Sequence, residues 1–225
     1  MSKTSRPPHS SPGSGQEGGA APLVLASASS RRAHILTSAG FRFESFPADI
    51  DESSALKSRD AQTAATSLAE GKARSVANVR PAAVVIGADT IVVLDGRALG
   101  KPAGPEQALE MLRALRGREH VVVTGVAVCW PGGMVSGTEK TMVTFRRYSE
   151  EEIAAYIATG SPLDKAGAYG IQDRPFSPAR RYDGCYLNVV GLPLCLVANL
   201  LRSACAPADL DVEVACPGHS VPRAG

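Results

Sequence analysis

Apolar and polar positions along the chain fall into short blocks that switch repeatedly between a strand period and a helix period. Leu23–Ser27 is a brief apolar run of the kind a buried strand shows. Ser29 or Ser30 then stands where a cap belongs, ahead of a helix through Arg31, Arg32, Ile35 and Leu36 that stops at Gly40. Phe41–Phe46 alternates apolar and polar as a half-buried strand does. Asp60 opens an Ala-rich helical run to about Arg80, which Pro81 ends. Ala83–Arg97 reads as two apolar strands around Gly87–Thr90, with a turn at Asp95-Gly96. Pro105 starts a helix closed by Gly117. Two long β-rich runs then form a hairpin around Pro131-Gly132-Gly133. Ser149 with Glu152 makes a capping box for a helix to Thr159, and Gly191-Leu192-Pro193 leads into a last helix ending near Ala204.

These elements predict a mixed α/β fold. Hairpins of this length argue against a purely parallel, doubly wound sheet. Residues 1–21 are rich in Ser, Gly and Pro and are expected to form a disordered tail. The folded unit is expected over 22–204, with a loose tail over 205–225.

Composition narrows the function classes. The 225 residues fit one domain, and 44% hydrophobic with 20% charged residues is the balance of a globular protein. A net charge of +2 excludes a nucleic-acid binder that works by bulk charge, yet leaves room for a local cationic pocket. Five cysteines without a CxxC, and only four histidines, argue against a zinc site or a disulfide framework. The most apolar stretch, Val189–Leu201, is broken by Gly191, Pro193 and Asn199 and is too short to span a bilayer. A soluble, reduced, cytoplasmic protein with no nucleic-acid or membrane partner is the expectation.

Four segments carry candidate chemistry. Ser27 to Arg32 joins a strand to a helix start through small residues, an arrangement that can receive a phosphate. Arg31 and Arg32 oppose the helix dipole there, a conflict that a bound polyphosphate would remove; the alternative is a solvated surface pair. Asp89 interrupts an otherwise apolar run and needs a partner, hydration or a metal. It is expected at a strand end or bulge facing a pocket, where it could bind Mg²⁺; a turn or capping aspartate is the alternative. The acidic group Asp49, Asp51 and Glu52 could complete a hard-cation site or simply be solvated. Asp164–Gln172 is a small-residue loop behind a charge pair, and Gln172 offers both a donor and an acceptor to a pyrimidine edge. Together these imply a site for a magnesium-bound phosphorylated ligand.

LASASSRRAHIL, IGADTIVVLDG with LGKP, DKAGAYGIQ and NVVGLPL occur in this order from about Leu23 to Leu201. Together they resemble the Maf family of nucleoside triphosphate pyrophosphatases. The resemblance implies a mixed, elongated twisted sheet with flanking helices and two lobes around a cleft, similar to the inosine triphosphatase fold and commonly a homodimer. It also implies metal-dependent (Mg²⁺ or Mn²⁺) hydrolysis between the α- and β-phosphates. The family's proton acceptor falls on Asp89, its lysines on Lys72 and Lys101, and its acidic position, a metal ligand with Asp89, on Glu52. Ser27, Arg31 and Arg32 fall where phosphate is held; Arg31, Thr90 and Gln172 fall where substrate choice is made. The DKAGAYGIQ form looks like the branch acting on dTTP and UTP. The alternatives are a pyrophosphatase for a modified or different base, or a nucleotide-binding regulator of cell division with little turnover. The polar run after Gln172, from Asp173 to Arg181, departs from the family's more apolar, strand-like pattern.

Overall fold

A computed structural model of the chain describes residues 21–51 and 60–204. The terminal tails and Glu52 lie outside these residues. Seven strands form one mixed sheet: β1 (Leu23–Leu25), β2 (Glu44–Ser45), β3 (Val84–Leu94), β4 (Arg97–Leu99), β5 (Glu119–Trp130), β6 (Gly133–Phe145) and β7 (Ala179–Asp183). Their order is β2-β1-β3-β5-β6-β7, with β4 also on β3. The first three strands are parallel, and β3, β5, β6 and β7 are antiparallel neighbours. Among the described residues six α-helices accompany them: α1 (Ser30–Ser38), α2 (Ala61–Val79), α3 (Pro105–Leu115), α4 (Glu150–Ala158), α5 (Tyr186–Val190) and α6 (Leu194–Ser203). Among the described residues no helix is long and apolar enough to cross a membrane.

The caps form as their residue types dictate. The Ser29 side chain accepts from the Arg32 amide, Asp60 accepts from the amides of Gln62 and Thr63, and Ser149 with Glu152 completes the capping box. Three expectations change. Phe41–Phe46 shrinks to the two-residue β2, because three-residue β1 pairs with it only at Glu44 and Ser45; Phe41 and Phe43 pack on the core without strand pairing. Ala83–Arg97 holds one continuous eleven-residue strand rather than two, so Asp89 sits mid-strand, in unbroken register with Gly125, and not at an end or bulge. The polar run after Gln172 is irregular over 173–178 but ends in a strand, β7, whose largely exposed side chains suit a sheet edge.

One face of the sheet carries two separate apolar clusters. Ile86, Ala88, Val126 and Val128 pack under α1 and α6, while Val92, Val122 and Val143 pack under α3 and α4. Thr90 and Thr124, opposite each other in the β3–β5 register, lie between them as a polar seam. The other face is covered by α2, through Ala69, Ala73 and Val76 over β1, β3 and β5, and through Ala65 and Leu68 against Ile91 and Val123.

His120 lies inside the second cluster, 2% exposed, with its ring edge-on to Phe145 and Nε2 2.8 Å from the Tyr169 hydroxyl. Burial pushes its pKa down from 6.5 to about 4. Below pH 6.5 the unfolded chain therefore takes up a proton that the folded chain refuses. Stability from this group is complete above pH 6.5 and is lost as the pH falls toward 4, by roughly 3 kcal/mol in all. Denaturant midpoints between pH 7 and 4.5 should fall more steeply for the native chain than for His120→Gln.

Candidate active site

β3 is much longer than the strands on one of its edges. β1 pairs with Val84–Ile86 and β4 pairs with Val92–Leu94, both on the edge away from β5. Between them, among the described residues, no strand pairs with Gly87–Ile91. The notch so formed opens both faces of the sheet at once. Consecutive strand residues point to opposite faces, yet Asp89 and Thr90 both line the same cavity of about 460 Å³. That volume lies within the range of small-ligand sites. Of the candidates among the described residues, Ser27, Arg31, Arg32, Lys72, Asp89, Thr90, Lys101 and Gln172 line it, whereas Asp49 and Asp51 of the acidic group do not.

On the α2 side, Lys72 donates to Asp89 Oδ1 at 2.6 Å, with both side chains largely buried. This pair meets the cost of a carboxylate inside an apolar strand. It depends on how closely α2 approaches the sheet. Ala65, Ala69 and Ala73 recur every four residues on one face of α2 and lie directly on Gly87 and Gly125. A Cβ on Gly87 would overlap the Ala69 carbonyl oxygen, and one on Gly125 the Ala65 carbonyl group.

On the other side, α1 begins where β1 ends. Arg32 is held by three separate segments: Nε donates to the Gly191 carbonyl at 2.8 Å, one terminal nitrogen to Ser27 Oγ at 3.3 Å, and the other to Thr90 Oγ1 at 3.1 Å. Gly191 has φ of 122°, which few other residues adopt, and a Cβ there would come within 3.3 Å of Thr90 Oγ1. Arg31, half-buried, points across the mouth and pairs with the exposed Asp164 at 2.7 Å. Partial burial alone would raise the Asp164 pKa, but hydrogen bonds from Lys165 and Arg31 hold it below the usual carboxylate value. Lys101 stands exposed at the rim after β4.

The loop carrying Gln172 is pinned from behind. The Tyr156 hydroxyl donates to Asp173 Oδ2 and accepts from the Gly170 amide, while Ser161 also donates to Asp173 Oδ2. Lys165, 8% exposed, donates to the Ser161 carbonyl and hydroxyl and to Asp164. Gln172 Oε1 is buried and has no hydrogen-bond partner among the described residues. Among the described residues, five cations (Arg31, Arg32, Lys72, Lys101 and Lys165) line the cavity against two carboxylates, Asp89 and Asp164, a balance that favours a polyanion.

The sequence reading gave Lys165 no role and passed over Thr124 and Asn188. Thr124 and Asn188 are each a lone polar residue in an apolar run, the same signal that drew attention to Asp89. Among the described residues no group of three or more His, Cys, Asp or Glu side chains could form a metal cage.

The chain is thus an open mixed α/β sheet with a cationic notch beside the unpaired stretch of its long central strand, an arrangement suited to an anionic ligand. Residues 22–204 match the family described as Maf-like protein. The chain belongs to this family. It is 49% identical over 172 residues to a protein of Geobacillus sp. (strain WCH70) named dTTP/UTP pyrophosphatase, covering 76% of this chain and 92% of that one. A Moorella thermoacetica protein of the same name is 50% identical over 181 residues, 80% of this chain and 93% of its own length. One from Pelotomaculum thermopropionicum is 46% identical over 182 residues, 80% and 95% of the two chains.

Proposed function

We propose that this chain hydrolyses nucleoside triphosphates, with dTTP and UTP preferred, to the nucleoside monophosphate and pyrophosphate, in a metal-dependent reaction that clears the nucleotide pool. The observation that carries this reading is the meeting of one strand-borne carboxylate, Asp89, with Arg31, Arg32, Lys72 and Lys101 in a single notch. The name its relatives carry, dTTP/UTP pyrophosphatase, supports the reaction and the nucleotide preference.

The donor set suits a cation that arrives with the nucleotide. Lys72 occupies Asp89 Oδ1, and Oδ2 has no hydrogen-bond partner among the described residues. Mg²⁺ commonly binds through one or two carboxylates plus phosphate oxygens. Asp89, with Glu52, would hold Mg²⁺ or Mn²⁺. When bound, the ion would offset phosphate charge and acidify a water molecule.

The chain's own residues account for the rest. Arg32, fixed on three sides, and Arg31, exchanging Asp164 for phosphate, orient the triphosphate. Lys72 and Lys101 stabilise the charge that gathers on the departing pyrophosphate. Water attacks the α-phosphorus, its oxygen forms the new P–O bond, and the bond from the α-phosphorus to the α,β-bridging oxygen breaks. Asp89 accepts the water's proton. Lys72 keeps the carboxylate oriented during this step, as a positioning partner does for a general base.

Base choice rests on Gln172. Its buried Oε1 is an acceptor that lacks a donor. The N3–H of uracil and thymine supplies one, whereas cytosine and adenine present a bare nitrogen in the corresponding place. An unpaired buried acceptor costs about 1–3 kcal/mol, enough for a tenfold or larger preference. Purified protein assayed with each nucleotide and Mg²⁺ should give pyrophosphate with dTMP or UMP, at kcat/KM well above that for CTP and ATP. Gln172→Ala should narrow the UTP-to-CTP ratio more than it lowers the UTP rate. Equal kcat/KM for UTP, CTP and ATP in the native chain would refute base reading by Gln172. Orthophosphate as product would refute the pyrophosphatase assignment.

A further inference from the structure

Beneath Arg32 a hydrogen-bond chain runs into the protein, and its direction follows from counting protons. Arg32 donates to Thr90 Oγ1 at 3.1 Å. Thr90 Oγ1 and Thr124 Oγ1 lie 3.0 Å apart. Thr124 Oγ1 lies 2.9 Å from the Asn188 carbonyl oxygen, which can only accept. A hydroxyl has one proton. Thr124 gives its proton to Asn188, so Thr90 must give its own to Thr124, and the Thr90 oxygen is left to accept from Arg32. The order is therefore guanidinium, Thr90, Thr124, then the main chain of α5.

The far end of this chain is firmly anchored. Asn188 is fully buried, and its side-chain amide donates to the Val122 carbonyl at 3.0 Å and to Thr141 Oγ1 at 2.9 Å. Thr141 in turn donates to the Cys185 carbonyl at 3.0 Å, at the residue preceding α5. Arg32 also reaches the end of α5 directly, through Gly191. α5 thus receives the arginine twice, once at first hand and once through two threonines.

We propose that Thr124 and Asn188 are positioning residues for the reaction. They tie β3, β5, β6 and α5 into one frame that fixes Arg32 in the orientation required to clamp the triphosphate. The inference rests on the reading of Arg32 as a phosphate ligand. On this account Thr90 contributes to the site chiefly through Arg32, because its hydroxyl is committed on both sides. Thr124 is 0% exposed and does not itself line the cavity, so it acts only through its neighbours, Thr90 first among them.

The test is a double-mutant cycle. Thr124→Val preserves shape and removes the hydroxyl, leaving Thr90 without an acceptor and the Asn188 carbonyl without that donor. It should lower kcat/KM for UTP about tenfold or more, with KM raised and kcat reduced together. Thr124→Ser restores the hydroxyl and should recover most of the loss. In an Arg32→Ala background, adding Thr124→Val should cost no more than about twofold, because the group it positions is gone. Thr124→Ala removes the same hydroxyl with less volume and serves if the valine variant does not fold. A merely structural role would lower the melting temperature without moving KM at 25 °C. If Arg32→Ala is severe while both Thr124→Val and Thr124→Ala are kinetically native, the relay is wrong and the phosphate clamp stands. Losses that multiply in the double variant would also overturn the relay. A kinetically native Arg32→Ala would overturn the clamp itself.

Discussion

Asp89→Asn is expected to lower kcat by roughly 10²–10⁴-fold, the usual cost of losing a general base. The change keeps the side chain's shape and an oxygen that can still accept from Lys72, 2.6 Å away in the native protein. What it removes is a charge and the capacity to take a proton. Two opposed effects act on KM. Lys72 loses its counter-charge, which makes the notch more attractive to a triphosphate, while a neutral amide holds the accompanying cation less well than a carboxylate. A collapse in kcat that far exceeds any change in KM is the pattern expected of a lost general base. Steady-state kinetics with UTP, beside a circular dichroism spectrum to confirm folding, would measure it. A variant that keeps a third of its kcat would remove Asp89 from the role of base.

Gly125→Ala should be nearly as damaging, although Gly125 touches no substrate. The new Cβ would overlap the backbone of Ala65, and backbone cannot rotate aside as the tip of a side chain can. α2 must lift or tilt. Overpacking of this kind typically costs about 1–3 kcal/mol, which in a domain of this size lowers the melting temperature by roughly 2–10 °C. The larger effect is on turnover. Lys72 travels with α2, and Asp89 lies directly across the β3–β5 register from Gly125. A misplacement of about 1 Å at a catalytic pair can cost on the order of 10²-fold. Calorimetry and kinetics on the same preparation test both halves, and native kcat at a lowered melting temperature would show that α2 relaxes without disturbing Lys72.

The Gly125 case shows where reading the chain stops. Local signals were sufficient for the helix starts at Ser29, Asp60 and Ser149, because a cap is decided by a few neighbouring residues. The hairpin joining β5 and β6 was legible for the same reason. The oddity of Asp89 was legible too, since a carboxylate in an apolar run is costly in any fold. Its partner was not, because Lys72 lies seventeen positions away on an element whose distance from the sheet is set by Gly87 and Gly125. The continuity of β3 through Asp89 was hidden for a related reason. Strand propensity favours a break there, and the ion pair with Lys72 removes the need for one. Thr124 and Asn188 could be noticed as polar residues out of place, but their meeting with Thr90 depends on strand register and on where α5 docks. β7 was masked by its exposed arginines and aspartate, which are the residues an outer strand can tolerate.

The gap beside Gly87–Ile91 also bears on self-association. Bare strand edges invite other chains to add on, and proteins commonly blunt them with charge, bulges or covering loops. By the parity of the β1 and β4 pairings, the backbone amides and carbonyls of Ala88 and Thr90 face this gap. Yet the free length is five residues, roughly 17 Å at strand rise, and it is fenced by β1 at one end and β4 at the other. An incoming strand would have to lie in line between these two and displace Arg31 and Arg32 from its path. A small ligand meets neither obstacle. The enzyme can therefore keep main-chain hydrogen-bonding groups open in the middle of its sheet without offering a template for aggregation.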